Sequence, residues 1–361
     1  MTKPMRLSDF QKLDRRVEAG VVDGLPIHLD AVADRGPATH AFLRHGWFAA
    51  AVEAYGGTVR TVVARDGGEP VLAIPFQRRG WAALALASVP GSYWPFRAFP
   101  LASDDDAVLA AALQALSREV RALRVGPVPD ADPCVSPLLA AARARGWAVV
   151  ERRVGESWLF GLGQATRAGE WPRASTLKKN RFHEKHLGGH GALDWAFVGG
   201  DGWPDGFDAM AAVEERSWIA SRTDGSDAKF TRTGHGAFWR ACARDESLRH
   251  MMRAAMLRVD GAPAAFSFDL IVGPTCYAVA NSYDPAFAKH SPGKLLYTRN
   301  LVDLAANGVE TVDWGMGDSG YKQVIGAEAG PVMRDWLLVR PGPVAAAARI
   351  AAWFRRGQTR R

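Results

Sequence analysis

The sequence predicts an α/β (α+β) protein with two tandem modules, each a mixed sheet flanked by helices. Its 361 residues exceed one ordinary domain, and the 48% hydrophobic content with 13 Trp and 16 Phe is ample for buried cores. A pattern of strand, Asp-Gly turn and strand occurs twice, at 62–76 and 256–268. Each copy follows a helical stretch, at 47–55 and 238–243. A repeated unit of this kind is typical of a duplicated domain.

The first module is expected to span residues 1–155. It ends after a helix at 137–145, which Gly146 terminates. The second module is expected to span 156–342, and residues 343–361 are predicted to form a basic amphipathic C-terminal helix.

The second module is expected to begin with two helices. The first, at 175–187, is basic and has Ser175 as its predicted N-cap. The second, at 207–219, has apolar residues at three- and four-residue intervals. A polar, Gly-rich loop at 221–236 follows them. The remaining elements are predicted in this order: strands 255–260, 263–272 and 276–283, a helix reaching 307–308, and strands 311–314 and 336–339.

Residues 283–296 run from a strand through a Pro/Gly turn into a helix. A helix that opens at Ser291-Pro292-Gly293 presents unpaired backbone N–H groups and the positive end of its dipole. Proline at the first helical position costs nothing. The stretch therefore predicts an anion or thioester site.

Two motifs carry a resemblance to a known superfamily. The interval from Pro285 to Gly293 resembles the acyl-CoA loop of GNAT N-acyltransferases, and residues 313–322, DWGMGDSGYK, resemble the closing motif of FemAB-like and CelD-like members. The loop departs from the family pattern at Ala288, Lys289 and Ser291, where the family has Arg, Gly and Gly. The resemblance covers most of residues 170–325, with a weaker echo at 40–150.

The resemblance implies a thioester donor, acyl-CoA or acyl-carrier protein, and no permanently bound cofactor. The residues implied in donor binding are Lys289, His290, Ser291, Gly293 and Lys294. Glycine lets a backbone approach a pyrophosphate closely, and Ala288 and Lys289 hinder that approach. An aminoacyl-tRNA donor, as in FemX-type relatives, therefore stays open beside the two thioesters.

Four residues are candidates for catalysis, and a fifth, Asp313, is an alternative to one of them. Tyr321-Lys322 stands where FemAB-like enzymes carry an aromatic-Lys pair near the transferred group, and Lys322, its stem in a Gly-rich loop with little to pack against, is expected to stabilise an oxyanion. Asp318, or Asp313, would orient the amine or accept its proton. Tyr283, at the end of the donor strand, would protonate a thiolate leaving group.

The acceptor is expected to be an amine. The helix that carries Glu215 and Trp218 precedes the polar loop, and the resemblance implies that this loop borders the acceptor cleft, so both residues are predicted to bind substrate. Asn281 and Asp284, at the end of the donor strand, complete the predicted substrate-binding set.

No metal is expected. His183, His186 and His190 have helical spacing in their first interval only, because Gly188 and Gly189 interrupt the helix, and no carboxylate or Cys cluster accompanies them. They are interpreted as solvated or phosphate-facing. Three cysteines, odd in number and far apart, indicate a reducing compartment without a disulfide framework.

The net charge of +7, from 45 basic and 38 acidic residues, suits phosphate-bearing donors or an anionic membrane surface. This net charge is low for strong RNA affinity. Nucleic acid is therefore not an expected partner, except tRNA if the donor is aminoacyl-tRNA. The N-terminus shows no secretory signal, and no apolar run reaches the roughly 18–20 residues of a spanning helix. A cytoplasmic protein is expected, with peripheral contact to the inner face of the membrane through 343–361. Its oligomeric state is not predicted.

The leading functional prediction is an N-acyltransferase that moves an acyl group from a thioester to an amine of a cell-envelope lipid or glycan precursor. One alternative is FemX-like transfer from aminoacyl-tRNA. Another is a non-catalytic GNAT-fold partner in a polysaccharide or lipid synthesis complex, since fold does not imply activity. The altered donor loop favours that last alternative, and the Tyr321-Lys322 motif opposes it.

Overall fold

The computed structural model describes residues 16–80, 85–217, 228–317 and 320–347, and all structural statements refer to these ranges. The expectations for Trp218, for Asp318 and for most of the helix at 343–361 lie outside the described residues.

The chain forms two compact units. The first comprises Met1–Phe48, Gly57–Val154 and Met333–Arg361, as far as these are described, and the second comprises Ala49–Gly56 and Gly155–Val332. The units depart from the predicted bounds of 1–155, 156–342 and 343–361 because the last strand belongs with the first unit. The predicted domain bounds therefore remain a prediction.

Twelve strands form within the described residues. In chain order they are β1 Val17–Asp23, β2 Val59–Asp66, β3 Glu69–Arg79, β4 Leu86–Ser88, β5 Ala122–Pro129, β6 Ala148–Phe160, β7 Leu193–Val198, β8 Met252–Val259, β9 Ala262–Val272, β10 Thr275–Tyr283, β11 Thr311–Met316 and β12 Glu328–Val339.

The α-helices of the described residues are distributed over the two units. In chain order they are α1 His28–Arg35, α2 His45–Tyr55, α3 Asp106–Glu119, α4 Val135–Ala144, α5 Leu162–Arg167, α6 Ala174–Leu187, α7 Trp203–Arg216, α8 His235–Cys242, α9 Glu246–Met251, α10 Pro292–Ala306 and α11 Tyr321–Val324. None of them is both long and apolar enough to cross a bilayer.

The two units repeat one sheet topology. The strand order is β1-β2-β3-β4-β5-β12 in the first and β7-β8-β9-β10-β11-β6 in the second. Neighbours are antiparallel except at the fourth and fifth positions, where β4 and β5 in one unit and β10 and β11 in the other are parallel. The two hairpins occupy equivalent places, so the prediction of two tandem modules, each a mixed sheet flanked by helices, is confirmed.

The last strands of the two repeats are exchanged. β6 follows the first repeat in the chain but pairs with β11, at Val312↔Phe160 and Asp313↔Leu159. β12 follows the second repeat and pairs with β5, from Met333↔Pro129 onward. The predicted module boundary near residues 151–155 thus lies inside a strand, and the last strand is longer than the predicted 336–339.

Both hairpin turns require positive φ angles. Gly67 and Gly68 have φ of 59° and 90°, and Asp260 and Gly261 have φ of 47° and 76°. Two consecutive positive φ values match the right-handed twist of the flanking strands. The Asp-Gly signal in the sequence therefore located both turns.

Two helix predictions differ from the structure. α6 begins at Ala174, and its N-cap is Arg173 without a side-chain hydrogen bond, so Ser175 is not the N-cap. α7 begins at Trp203, earlier than the predicted 207, because Pro204 is tolerated in the first turn of a helix.

α10 packs over the sheet of the second unit. Its Leu295 and Leu296 are buried against Ala255 and Leu257 of β8. Asn300 fixes the helix to β9, since its Nδ2 donates to Oδ2 of the buried Asp269 at 2.7 Å. Burial raises the pKa of Asp269 to about 6. The start of α10 is thereby held at the carboxyl end of β10.

Candidate functional site

The predicted donor turn is present after β10. A 3₁₀ helix, Pro285–His290, follows the strand, and Ser291 then takes a left-handed conformation with φ 50° and ψ 50°. α10 begins at Pro292, so the predicted helix start is confirmed. The first N–H groups of a helix lack carbonyl partners within it, and the helix dipole adds positive potential there. This end of α10 suits an anionic group.

Gly293 lies against the ring of Tyr283. A Cβ atom at residue 293 would come within 3.2 Å of Tyr283 Cδ1. Glycine is therefore the residue that lets the last side chain of β10 reach the first turn of α10. Tyr283 is 37% exposed at this position.

The parallel strands β10 and β11 separate toward their carboxyl ends. Their pairing runs from Thr275↔Thr311 to Tyr277↔Asp313, although β10 continues to Tyr283. A register shift against β9 at Ala278 and Ala280 accompanies the separation. α10 starts after β10, and α11 starts after β11, so both sequence motifs lie at the carboxyl ends of the parallel pair. Ligands of open α/β sheets bind at such ends.

A group of cationic and titratable side chains surrounds the start of α10. We call it the basic cluster, and its members are Lys179, His183, His186, His190, Lys289, His290 and Lys294. The Nε2 atoms of His190 and His290 are 2.9 Å apart, and the ring of His186 stacks on that of His290 with centroids 6.5 Å apart. The histidines interpreted from the sequence as solvated or phosphate-facing thus join the predicted donor residues.

Burial and, after it, repulsion within the basic cluster lower the pKa values of two of its imidazoles. Burial, followed by the charges of Lys179 and Lys294, lowers the pKa of His183. Burial, followed by the charge of His190 and other cluster members, lowers the pKa of His290. Both side chains are held toward the neutral form, and a bound anion would oppose that shift.

The equivalent helix start in the first unit is acidic. α3 follows β4 as α10 follows β10, and Asp105 caps it by accepting a hydrogen bond from the Ala107 N–H at 2.9 Å. Asp104 and Asp106 flank this cap. Carboxylates at a helix start satisfy its N–H groups and repel anions. Of the two equivalent helix starts, the one in the second unit is the one suited to an anionic donor.

Lys322 is buried, with 4% exposure, at the start of α11. Its Nζ donates to the carbonyl oxygens of Gly315, at 2.8 Å, and Met316, at 3.3 Å. Gly315, Gly317 and Gly320 all have positive φ, so glycine at these positions lets the chain turn back over the end of β11. The expectation that the Lys322 stem has little to pack against is wrong, because the motif folds around it.

Asp313 is buried beside this turn. Its Oδ1 accepts hydrogen bonds from Ser157 Oγ and from the Gly315 N–H. Burial raises the pKa of Asp313, and these two donors together with the charge of Lys322 oppose the rise. Ser157 lies on β6, far away in sequence, and no local signal could have identified it.

An aromatic contact connects α10 with α11. Trp314 has Tyr321 at 6.3 Å and Tyr297 at 5.9 Å between ring centroids. Burial, with a smaller contribution from Tyr321, raises the pKa of Tyr297 to about 12. The sequence analysis does not identify Tyr297 as a residue near the site, although Tyr297 lies one helical turn after Gly293 and so shares the same face of α10.

Two predicted acceptor residues lie beside the donor turn. Asp284 caps the 3₁₀ helix through Ala286 N–H at 3.0 Å and pairs with Arg216 Nε at 2.8 Å. Glu215, next to Arg216 on α7, is exposed, whereas Glu214 is buried and accepts hydrogen bonds from the N–H groups of Lys229 and Phe230. Burial raises the pKa of Glu214.

Of the remaining predicted residues, Asn281 lies within the described part of the chain. Asn281 is exposed on the same face of β10 as Tyr283, two residues away. Trp218 and Asp318 lie outside the described residues, so their roles stay predictions.

One group of side chains in the first unit has ligand atoms close enough for a metal. His40, Asp132 and Cys134 are buried with these atoms within 4.8 Å of one another. Asp132 uses both oxygens already, since Oδ2 binds His40 Nε2 at 3.0 Å and Oδ1 accepts from the N–H groups of Cys134 and Val135. This arrangement caps α4 and explains the group without a cation.

Comparison with known proteins agrees with this geometry. Residues 174–323 match the family described as "Acetyltransferase (GNAT) domain". A search of curated proteins found no significant match. Among solved structures, the chain is similar to FemX, with a TM-score of 0.60 and 12% identity over 90% of this chain and 99% of FemX. It is also similar to L-PGS from Bacillus licheniformis, with a TM-score of 0.51 and 14% identity over 91% and 96%.

At these identities the structural likeness shows the fold alone. The family match adds an acyltransferase domain that contains the basic cluster, the separated strands and Lys322. Residues 174–323 therefore match a GNAT domain, and the chain as a whole has a fold similar to that of FemX.

Proposed function

We propose that the protein is an N-acyltransferase that moves an acyl group from acyl-CoA or an acyl-carrier-protein thioester to an amine of a cell-envelope lipid or glycan precursor. The observation that carries the proposal is the basic cluster around the start of α10, in the unit that matches a GNAT domain. The acidic start of α3 in the first unit supports a single donor site per chain.

The geometry supports a separate role for each group of residues in the proposed reaction. Donor phosphates bind the N–H groups of α10 and the cations Lys289 and Lys294. The thioester lies where β10 leaves β11, and backbone N–H groups there stabilise the tetrahedral oxyanion. Tyr283 protonates the departing thiolate from above Gly293. Asp318 is proposed to accept the amine proton.

The acceptor is proposed to bind from the side of α7. Glu215 is exposed next to the pair of Arg216 and Asp284, and Asn281 shares a face of β10 with Tyr283. A carboxylate there attracts an ammonium group and holds it near the donor turn. Lys322, held by two carbonyl groups, supports the end of β11 and places its charge beside Asp313.

A second candidate function is transfer from aminoacyl-tRNA. α6 carries Lys178, Arg181 and Lys185 in addition to its members of the basic cluster, which is more positive charge than one pyrophosphate requires. This surface favours an RNA donor as the alternative.

The test compares donors on one protein. We expect acyl-CoA to release free thiol in the presence of an amino sugar or an aminolipid acceptor, measured with a thiol reagent. Aminoacyl-tRNA transfer without thiol release from any thioester would replace the proposal by the alternative. Inactivity with all donors, in a protein that binds none of them, would leave the non-catalytic GNAT-fold partner.

A charge-matched pair of variants localises the donor. Lys289→Glu with Lys294→Glu should weaken donor binding about tenfold, because two favourable contacts of below 1 kcal/mol each become repulsive. Lys178→Glu with Lys185→Glu changes the net charge equally outside the basic cluster. Equal loss in both double variants, by calorimetry, would contradict the proposed donor site.

A further inference from the structure

Phe182 is an exposed aromatic residue on the polar helix α6, with 60% exposure. The buried residues of α6, Asn180 and Leu187, lie two positions before it and five positions after it. Since each residue turns a helix by about 100°, both point roughly 140–160° away from Phe182. Phe182 therefore faces away from the core of the second unit, and packing among the described residues does not explain a phenylalanine at this position.

The ring of His186 supports that of Phe182. The two ring centroids are 4.2 Å apart, with 42° between the ring planes. His186 lies one helical turn after Phe182, and its Nδ1 is 2.8 Å from the Phe182 carbonyl oxygen. Because a carbonyl oxygen only accepts hydrogen bonds, this nitrogen carries a proton and donates it. The hydrogen bond fixes the imidazole beside the phenyl ring, so the exposed aromatic surface is formed in advance of any ligand.

This aromatic surface adjoins the basic cluster. His186 is itself a member, and the centroids of its ring and of the His290 ring are 6.5 Å apart. Lys179 precedes Phe182 by three positions, so both lie on one side of α6. Two successive ring contacts thus separate Phe182 from His290, one of the residues implied in donor binding.

Phe197 of β7 shows what is different about Phe182. Phe197 is 50% exposed as well, but the guanidinium of Arg253 lies over its ring, 4.0 Å from the centroid. Within the described part of the chain no cation lies over the ring of Phe182 in this way. The exposed surface of that ring can therefore accept a stacked aromatic group.

A nucleotide combines the two groups that this surface and the basic cluster suit. Its base is a flat aromatic ring, and its phosphates are anions on the other side of one ribose. Bases stack on aromatic side chains beside a positively charged surface that holds the phosphates. A phosphopantetheine arm without a nucleotide has a phosphate but no aromatic ring, and it would leave Phe182 uncovered.

We propose that Phe182 is a specificity-determining residue whose ring stacks on the nucleobase of the donor. This inference rests on the proposed donor site at the start of α10, and it selects between the two thioester donors. Acyl-CoA carries a nucleotide and the arm of an acyl-carrier protein does not, so acyl-CoA is the preferred donor. Stacking tolerates any base, so Phe182 distinguishes a nucleotide from an arm that lacks one.

Calorimetry on the full chain, without any acceptor, compares ADP with inorganic pyrophosphate. In Phe182→Ala the affinity for ADP should fall about fivefold or more, the usual effect of losing one stack between a base and an aromatic side chain. The affinity for pyrophosphate should stay at its wild-type value, because the basic cluster is unchanged. Unchanged ADP affinity in Phe182→Ala would overturn the proposal.

Further variants distinguish stacking from a general apolar contact. Phe182→Trp keeps an aromatic face and should retain the ADP affinity, whereas Phe182→Leu should lower it nearly as far as alanine does. Phe197→Ala, at a similarly exposed phenylalanine, is the matched control and should bind ADP as the wild type does. Full ADP affinity in Phe182→Leu, or an equal loss in Phe197→Ala, would reject stacking on Phe182. Thermal unfolding should show the variants at position 182 near the wild-type melting temperature, since the residue is exposed.

The thioesters themselves provide a second comparison. Binding of acetyl-CoA should weaken in Phe182→Ala, and binding of acetyl-phosphopantetheine should not. Equal losses for both thioesters would contradict recognition of the nucleotide.

The choice of ligands separates failure of this inference from failure of the proposed function. If pyrophosphate does not bind the wild type, the donor site at the start of α10 is wrong, and the inference falls with it. If pyrophosphate binds and the ADP affinity is independent of Phe182, the donor site stands and the role of Phe182 alone is rejected.

Discussion

Lys322 is a single residue that supports the fold and is also proposed to take part in the reaction. Its ammonium is enclosed by the Gly-rich motif and binds two carbonyl groups at the end of β11. Asp313, also buried, gains a nearby positive charge from it. Removing the charge therefore affects both the turn and the strand that borders the proposed site.

We predict that Lys322→Met lowers the free energy of unfolding by about 1–3 kcal/mol, because two buried acceptors lose their donor. Single-turnover transfer at saturating substrates should also fall 10²–10³-fold, if one preorganised electrostatic contact is lost. Urea unfolding measures the first effect, and Lys178→Met, an exposed lysine, is the control. Normal single-turnover rates in the folded variant would remove Lys322 from the reaction.

Gly293→Val should weaken donor binding with little loss of folding. The added Cβ comes within 3.2 Å of Tyr283 Cδ1, and the partly exposed ring can move by the few tenths of an ångström required. The valine methyl groups then crowd the N–H groups of the first turn. Calorimetry with the donor measures the loss, and Gly199→Val, which meets no atom within 4 Å, is the matched control. Unchanged donor affinity would count against this helix start.

At the scale of elements, the sequence predicts what local signals determine. The Pro/Gly turn before α10 and the Asp-Gly hairpins were located because their φ requirements restrict residue choice. The exchange of β6 and β12 was missed, since strand pairing between distant segments leaves no local pattern. For the same reason the sequence did not reveal the contact of Ser157 with Asp313 or bring the α6 histidines to His290.

The basic cluster, shared by α6, the 3₁₀ helix and α10, predicts proton-linked anion binding. The lowered pKa values of His183 and His290 keep both imidazoles toward the neutral form at pH 7. A bound phosphate raises those pKa values, so binding takes up protons and the affinity increases as the pH falls from 8 toward 6.

Calorimetry with inorganic pyrophosphate at several pH values, in buffers of different ionisation enthalpy, measures this uptake. The double variant His183→Gln with His290→Gln corrects for the ionisation of pyrophosphate itself. Identical pH dependence in the variant and the wild type would exclude these imidazoles from the linkage.

Across the whole molecule, duplication has produced two units with one topology and different chemistry. The acidic start of α3 and the basic start of α10 occupy equivalent places, so the charge at this position is reversed between the two units, as a single proposed donor site requires. The exchanged last strands, β6 and β12, make each repeat depend on the other for a complete sheet. Composition predicts neither the charge reversal nor the strand exchange, because both depend on the positions of residues within the two repeats.

The C-terminal segment is the part of the chain that is predicted to contact a membrane. Residues 348–361 lie outside the described part of the chain and contain Trp353, Phe354 and five arginines. Each basic residue near an anionic surface contributes about 1 kcal/mol, so the segment has enough charge for peripheral binding. Ala345, by contrast, is buried against Ala122, Ala148 and Val339 in the first unit.

We therefore predict that a protein truncated after residue 347 keeps its thermal stability, because Ala345 and β12 remain, but loses binding to anionic liposomes. Sedimentation with vesicles of anionic lipid, at low and high salt, measures the difference, and vesicles of neutral lipid are the control. High salt should release the full chain, since the attraction is electrostatic and screened. Equal sedimentation of both proteins would show that any membrane contact resides elsewhere, and the α6 face with Lys178, Arg181 and Lys185 would be the next surface to change.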